Sequence, residues 1–199
     1  MKITIDNQNI FFISDLHLFH PNVIKHDNRP FVDVHQMHDT IITNWNNVVT
    51  SKDIVFNLGD LSLVNKSNIK TIINQLNGNI YHINGNHDKP SFIKSLDKFI
   101  DVLDLVDLYV VDETATDNIG TKQHIVLAHY PILSWNRKHH GSWHLHGHSH
   151  QNLVNDSNYD WYYKGMVMDV GCNGINYTPI SYTEIKEIFQ KRHQLYNDK

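Results

Sequence analysis

Ile10-Phe11-Phe12-Ile13-Ser14-Asp15-Leu16-His17 passes from four apolar residues straight into a polar cluster, and that transition decides how the rest of the chain is read. It recurs. Ile54 to Leu58 leads into Gly59-Asp60, Ile80 to Ile83 into Gly85-Asn86-His87-Asp88, and Ile125 to Ala128 into His129. A fifth polar cluster, Gly147-His148-Ser149-His150, completes the set. Short, continuous, β-branched-rich runs suit strands buried on both faces, and two more lie at Leu108 to Val111 and Met166 to Val170.

Helical patterns fill the intervals. Val34, Met37, His38, Ile41, Ile42, Trp45, Val48 and Val49 repeat at three- and four-residue steps. Ile69, Ile72, Ile73 and Leu76 form a second stripe stopped at Asn77-Gly78, a favoured helix exit. Ser181 and Glu184 have the capping-box spacing ahead of Ile185, Ile188 and Phe189, which predicts a third helix from near Ser181. Strands alternating with helices predict an α/β architecture. With 199 residues, no Pro-, Gly- or Ser-rich linker and no internal repeat, residues 1–199 are expected to form a single domain with a sizeable core. Asp112 to Gln123 is polar and reads as a surface hairpin or loop.

Seventeen Lys plus Arg against 21 Asp plus Glu give a formal net charge of -4, so no broad basic field exists for long nucleic acid or an anionic membrane. The N-terminal Met1 to Asn9 stretch is too polar for a signal-peptide apolar region, and no apolar run approaches the ~20 residues of a membrane span. With a single cysteine, Cys172, a cytoplasmic setting is the expectation. Histidine is the oddity: 16 residues, nearly matching the cations, of the commonest metal-ligand type.

Each polar cluster sits at or just past the end of an expected strand, where open α/β sheets place their ligands. Asp15 and His17 are two apart, so on an extended segment both would leave one face and grip one ion; His148 and His150 repeat the spacing. Taken singly, each has an ordinary explanation: Asp15 a helix N-cap, Asp60 a turn residue, Asn86 a left-handed turn residue after Gly85, His129 a core histidine. Those explanations give no reason for all of them to fall near strand ends at this spacing. A donor set of imidazole and oxygen without thiolate argues against structural zinc and against an all-oxygen calcium cage, and fits Mn, Fe, Zn, Co or Ni.

The order Asp-x-His, Gly-Asp, Gly-Asn-His-Asp, lone His, Gly-His-x-His resembles the calcineurin-like metallophosphoesterase family over residues 10 to 175. The resemblance implies a two-sheet β-sandwich flanked by helices, small and without a cap domain. It implies two divalent metal ions, one held by Asp15, His17, Asp60 and His150, the other by Asp60, Asn86, His129 and His148, with Asp60 bridging. A carboxylate suits that place, since its two oxygens offer about four lone-pair sites to cations roughly 3.5–4 Å apart. The activity implied is hydrolysis of a phosphodiester or phosphomonoester, with a hydroxide held by the ions attacking phosphorus in line.

Within that resemblance His87 contacts the phosphate and protonates the leaving group. Asp88 either orients the His87 ring as a catalytic partner or caps a helix begun at Pro90. His20 and Arg29 are candidate substrate contacts, Arg29 as a bidentate phosphate clamp, with a surface or structural role as the alternative for each. His144 and His146 read as structural or as supports of the ligands, and Cys172 as packing. Trp135 to His140 reads as a lid or nucleobase-stacking edge, or as a solvated loop with Trp135 packed on the core. The expected partner is a small phosphorylated substrate, nucleotides included, and no membrane. A reading of another class keeps the metal sites and makes the chain a non-catalytic interaction module, which the presence of His87 and of every ligand disfavours.

Overall fold

The computed structural model describes residues 1–63, 67–115 and 120–197. Its elements are β1 (Lys2–Ile5), β2 (Ile10–Ile13), α1 (Pro21–His26), α2 (Val34–Val48), β3 (Ile54–Asn57), α3 (Ser67–Ile73), β4 (Asn79–Ile83), α4 (Pro90–Lys94), β5 (Phe99–Leu103), β6 (Leu105–Val111), β7 (Lys122–Ala128), β8 (Trp143–His146), α5 (Asp160–Tyr163), β9 (Val167–Asp169), β10 (Ile180–Ser181) and α6 (Tyr182–Asn197). In one sheet β2, β3, β4 and β5 run parallel through helical crossovers, and short β10 pairs antiparallel at the β2 edge. The other sheet has the order β1-β6-β7-β8-β9, parallel except for the antiparallel β6/β7 hairpin. The protein is thus α/β, with two mixed sheets flanked by helices.

Strand β2 explains why the apolar runs are unbroken. Phe11 and Ile13 join Met37, Ile41 and Trp45 of α2 and Ile69 and Ile73 of α3 in one core. Ile10 and Phe12, one step out of phase, join Leu108, Ile125, Trp143 and Leu145 of the other sheet in a second core. Period-two alternation therefore buries both faces, and the two sheets face each other across shared apolar surface while α1 to α4 cover the first sheet's outer side. Val126, Trp135, Tyr162, Tyr163 and Val167 form a smaller cluster on the second sheet. Ile185 and Phe189 seat α6 on the inter-sheet core, where the Trp143 ring lies 5.2 Å from Tyr182 and 5.1 Å from Phe189.

The expected helix signals take the forms their chemistry dictates. Asp33 caps α2 by accepting from the amides of His35 and Gln36. Ser181 and Glu184 form the reciprocal capping box, with Ser181 N–H donating to Glu184 Oε2 at 2.8 Å and Glu184 N–H to Ser181 Oγ at 3.2 Å. Helix α3 ends at Ile73, shorter than its stripe: the amides of Gln75 and Leu76 bond to the carbonyls of Ile72 and Ile73, tightening the chain into a turn from which Leu76 still reaches the core. The polar stretch after β6 connects the antiparallel β6/β7 pair, with residues 116–119 outside those described, but it is shorter than expected: Lys122 and Gln123 already belong to β7, and Gln123 is buried. Among the described residues no helix is long and apolar enough to cross a membrane.

Candidate metal centre

Parallel strands place the polar clusters together. Asp15 follows β2, Asp60 follows β3, Asn86 follows β4, His129 follows β7, and His148 and His150 follow β8, all at carboxyl ends of strands. The convergence of Asp15 with His17 is not the extended alternation expected from their spacing. Asp15, His17, Asp60, His148 and His150 all have left-handed backbone, with φ of 58°, 48°, 53°, 66° and 47°. Such conformations cost non-glycine residues on the order of 1 kcal/mol or more each and concentrate where function demands a side chain's direction. Two glycines make the close approach possible. A Cβ on Gly85 would lie 2.2 Å from Asp60 Oδ1, and one on Gly147 would lie 2.4 Å from Asp15 Oδ2.

Ligand atoms of Asp15, His17, Asp60 and His150 all fall within 4.8 Å of one another, close enough to hold one metal ion. His17 Nε2 is 3.2 Å from His150 Nε2 and 3.6 Å from Asp60 Oδ2, and His150 Nε2 is 3.6 Å from Asp15 Oδ1. The same Asp60 oxygen is 3.5 Å from His129 Nε2, which lies 3.0 Å from Asn86 Oδ1. The His148 ring packs 5.1 Å from that of His129. All seven expected ligands therefore meet around Asp60, whose Oδ1 is occupied by the His87 amide at 2.9 Å.

Hydrogen bonding fixes which ring nitrogens face inward. His129 Nδ1 lies 2.8 Å from the Leu58 carbonyl and must donate to it, so in the neutral imidazole Nε2 presents a bare lone pair to Asn86 Oδ1 and Asp60 Oδ2. His150 Nδ1 likewise donates to Asp27 Oδ2 at 2.6 Å, turning Nε2 toward His17 and Asp15. At His129 the converging lone pairs of Nε2, Asn86 Oδ1 and Asp60 Oδ2 repel unless a cation lies between them, so the donor set fits divalent metal. Burial lowers His150, but its bond to Asp27 and the nearby Asp15 outweigh burial and raise its pKa, so without a cation a proton on Nε2 can bridge to His17. Burial, aided by Asp169 and Asp60, pushes the Asp15 carboxyl up to about 7, with His150 opposing. Burial also pulls His17 down to about 2, with His150, Arg29 and His87 adding to the shift. A cation favours both the ionised carboxylate and the neutral imidazole, which is the protonation state that ligation requires.

Several supports were not singled out by sequence. Asp27 holds the His150 ring and is itself held by Arg29, in the carboxylate-histidine arrangement that orients metal ligands. Burial raises Asp27, but bonds to His150 and Arg29 outweigh it and leave its pKa below the ordinary carboxylate value. Asp169 accepts from Ser149 Oγ and from the amides of Gln151 at 3.0 Å and Gly171 at 2.8 Å, pinning the loop that carries His148 and His150. Asp27 stands next to His26, a common and uninformative neighbour, and Asp169 ends the apolar Met166 to Met168 run with no histidine nearby in sequence, so neither carried a usable signal.

Arg29 is not available as a phosphate clamp. Its buried guanidinium donates to the Asp15 carbonyl at 2.9 Å, the Leu16 carbonyl at 3.1 Å and Asp27, so it fastens the first ligand loop instead. Asp88 is displaced from both expected roles. Its carboxylate accepts from the amides of Asp60, Leu61 and Gly85 at 2.8, 3.0 and 2.8 Å and pairs with His82 Nε2 at 2.9 Å, while Lys89 occupies the N-cap of α4. Burial raises Asp88, yet the His82 and amide bonds prevail and hold its pKa low. It ties the Asp60 loop to the Asn86 loop, a positioning task.

His87 stands at the open side, its side chain 43 % exposed, with Nε2 3.9 Å from Asp60 Oδ2 and its ring 5.5 Å from that of His17. His20, at the N-cap of α1, places its ring 6.0 Å from His17. His144 bridges the Val126 carbonyl and the Ile132 amide, and His146 bridges the Gly147 carbonyl and the Tyr163 hydroxyl, so both are structural. Trp135 is turned inward, Nε1 donating to the Ser142 carbonyl at 3.2 Å. Cys172 is buried, its Sγ 3.1 Å from the Asp15 carbonyl, and burial pushes the thiol up to about 12.

No protein-family model matches the chain. It is similar to a crystal structure of a protein of unknown function, AQ665 from Aquifex aeolicus, with a TM-score of 0.66 and 25 % identity over 92 % of this chain and 100 % of that one. The uncharacterized protein MJ1445 of Methanocaldococcus jannaschii is 37 % identical over 187 residues, 92 % of this chain and 93 % of its own length. At that identity across nearly the whole of both sequences, the chain belongs to one family with MJ1445.

Proposed function

We propose that this protein is a phosphoesterase of the calcineurin-like metallophosphoesterase type, hydrolysing a phosphomonoester or phosphodiester with two divalent ions. The observation that carries the reading is the single oxygen Asp60 Oδ2, 3.6 Å from His17 Nε2 on one side and 3.5 Å from His129 Nε2 on the other. Asp15, His17, Asp60 and His150 would hold one ion, and Asp60, Asn86, His129 and His148 the other. Two such ions supply Lewis acidity, which makes water nucleophilic near neutral pH and neutralises charge on phosphoryl oxygens.

The chain's own residues do the remainder. His87 can carry a proton on Nε2 to the departing oxygen, a task worth roughly 10²- to 10⁴-fold for a poor leaving group. Its backbone bond to Asp60 keeps it at the rim, and its exposure lets the proton be restored from solvent. His20 flanks His17 from the α1 side and offers a second imidazole to a bound phosphoryl group. Asp27, Asp88, Asp169 and Arg29 keep the ligands aimed, so little reorganisation remains when substrate arrives.

The test combines metal analysis with a panel of nitrophenyl phosphate, bis-nitrophenyl phosphate and cyclic nucleotides under several added metals. Turnover of at least one substrate, abolished by chelation, is expected. Asp60→Asn should lose most of the bound metal from both positions, because it removes the shared negative charge; full occupancy in that variant contradicts the bridge. Two ions bound with no turnover of any substrate would favour the interaction-module reading.

A further inference from the structure

An apolar groove of about 120 Å³ is lined by Pro131, Leu133, Leu153, Tyr159, Trp161 and Tyr162. Its two walls are the chain segments that leave the candidate metal centre: residues 131 to 133 follow His129, and residues 153 to 162 follow His150. Tyr130, which precedes the lining residue Pro131 in the chain, packs on the centre, its ring 5.1 Å from His129 and 4.6 Å from His148. The Tyr162 hydroxyl donates to the Ile132 carbonyl at 3.0 Å and ties the walls together. Among the lining residues Leu133 and Trp161 are 62 % and 56 % exposed. Scattered exposed apolar residues are ordinary, whereas a contiguous set around a concavity marks a binding surface.

We infer that this groove receives a planar aromatic ring carried by the phosphoester substrate, of the size of a phenyl group or a pyrimidine base. The inference rests on the phosphoesterase reading above. Size admits nothing larger than a single ring: a closed cavity of ~150 Å³ accommodates benzene, and this groove is slightly smaller but open to solvent on one side. Chemistry supports an uncharged one: among the described residues no charged side chain lines the groove, so a second phosphate would be desolvated without a partner. Trp161 and Tyr159 offer the ring faces and edges that aromatic groups prefer. Trp135, the aromatic that the sequence brought forward as a stacking edge, is buried, and Trp161 takes that place.

Binding of phenylphosphonate and methylphosphonate, neither hydrolysable at its C–P bond, is measured by calorimetry on the intact protein in manganese-containing buffer. Phenylphosphonate should bind roughly 10- to 100-fold more tightly, and Trp161→Ala or Leu133→Asp should remove most of that preference. In turnover, the ratio of kcat/KM for benzyl over ethyl esters should fall by a similar factor in the same variants; a methylene separates ring from leaving oxygen, so intrinsic reactivity largely cancels. Equal affinity for the two phosphonates, binding of neither, or a preference untouched by both substitutions overturns the groove. A ring preference without hydrolysis of any ester sinks the phosphoesterase reading and leaves the groove standing. A dimer dissolved by Trp161→Ala, with no ring discrimination, assigns the patch to a second copy and overturns the inference.

Discussion

His87 is held by its backbone more than by its ring, because its amide donates to Asp60 Oδ1 while the imidazole extends toward solvent. The substitution His87→Ala keeps that amide. It should therefore retain both metals by elemental analysis yet lose roughly 10²- to 10⁴-fold of kcat on esters with poor leaving groups, and much less on nitrophenyl esters. Equal losses on both substrate types would remove His87 from proton transfer. The seven candidate ligands were legible as residues because each is a potent donor at a strand end. Their tautomers and supports were not: that Arg29 grips carbonyls of its own loop and that Asp88 collects three amides depend on left-handed turns at Asp15 and Asp60 that no residue type announces.

At the scale of elements, β2, β3, β4, β6, β7 and β9 were legible from unbroken apolar runs, and α2 and α6 from stripe and cap. Strand β1 escaped because Lys2 and Thr4 alternate outward, and β8 because two of its four buried residues are histidines, each tolerated there because one ring nitrogen meets a carbonyl and the other an amide or a hydroxyl. Asp112 shows an element junction with a pH signature. It accepts from Lys186, from the Tyr182 hydroxyl at 2.6 Å and from Thr114 N–H at 2.9 Å, fastening α6 to the end of β6. Burial raises its pKa, but the bonds from Lys186, Tyr182 and Thr114 outweigh burial and place it below the ordinary carboxylate value. The unfolded chain therefore takes up the proton first, so this stabilisation is complete above the unfolded carboxylate range and fades as pH falls below it. Asp112→Asn should cost about 1–2 kcal/mol in urea unfolding at pH 7, and the gap to the parent should narrow at pH 3. A gap of constant size would show that the carboxylate's charge is immaterial.

For the whole molecule, the candidate centre is a seam: its donor side chains come from both sheets, so an ion bound there would join the two layers. Metal at about 100 times its Kd should stabilise the folded chain by about 2.7 kcal/mol, which for a protein of this length raises Tm by about 5–10 °C. Thermal melts with manganese against chelator check this, and coincident curves would deny that the folded protein holds the ion. The layered packing was foreseeable, since continuous apolar strands need cover on both faces. Which loops of the two sheets would face each other was not, because the register between layers is set by packing around Phe12, Trp143 and Phe189 rather than by any local pattern.

Cys172 lies beneath the Asp15 carbonyl with its thiol kept protonated. An alkylating reagent reaches that sulfur only while the first loop lifts away, so covalent labelling serves as a stopwatch for the seam's breathing. Labelling should slow roughly tenfold or more when manganese replaces chelator. Identical rates would mean that the loop opens independently of any ion bound beside it.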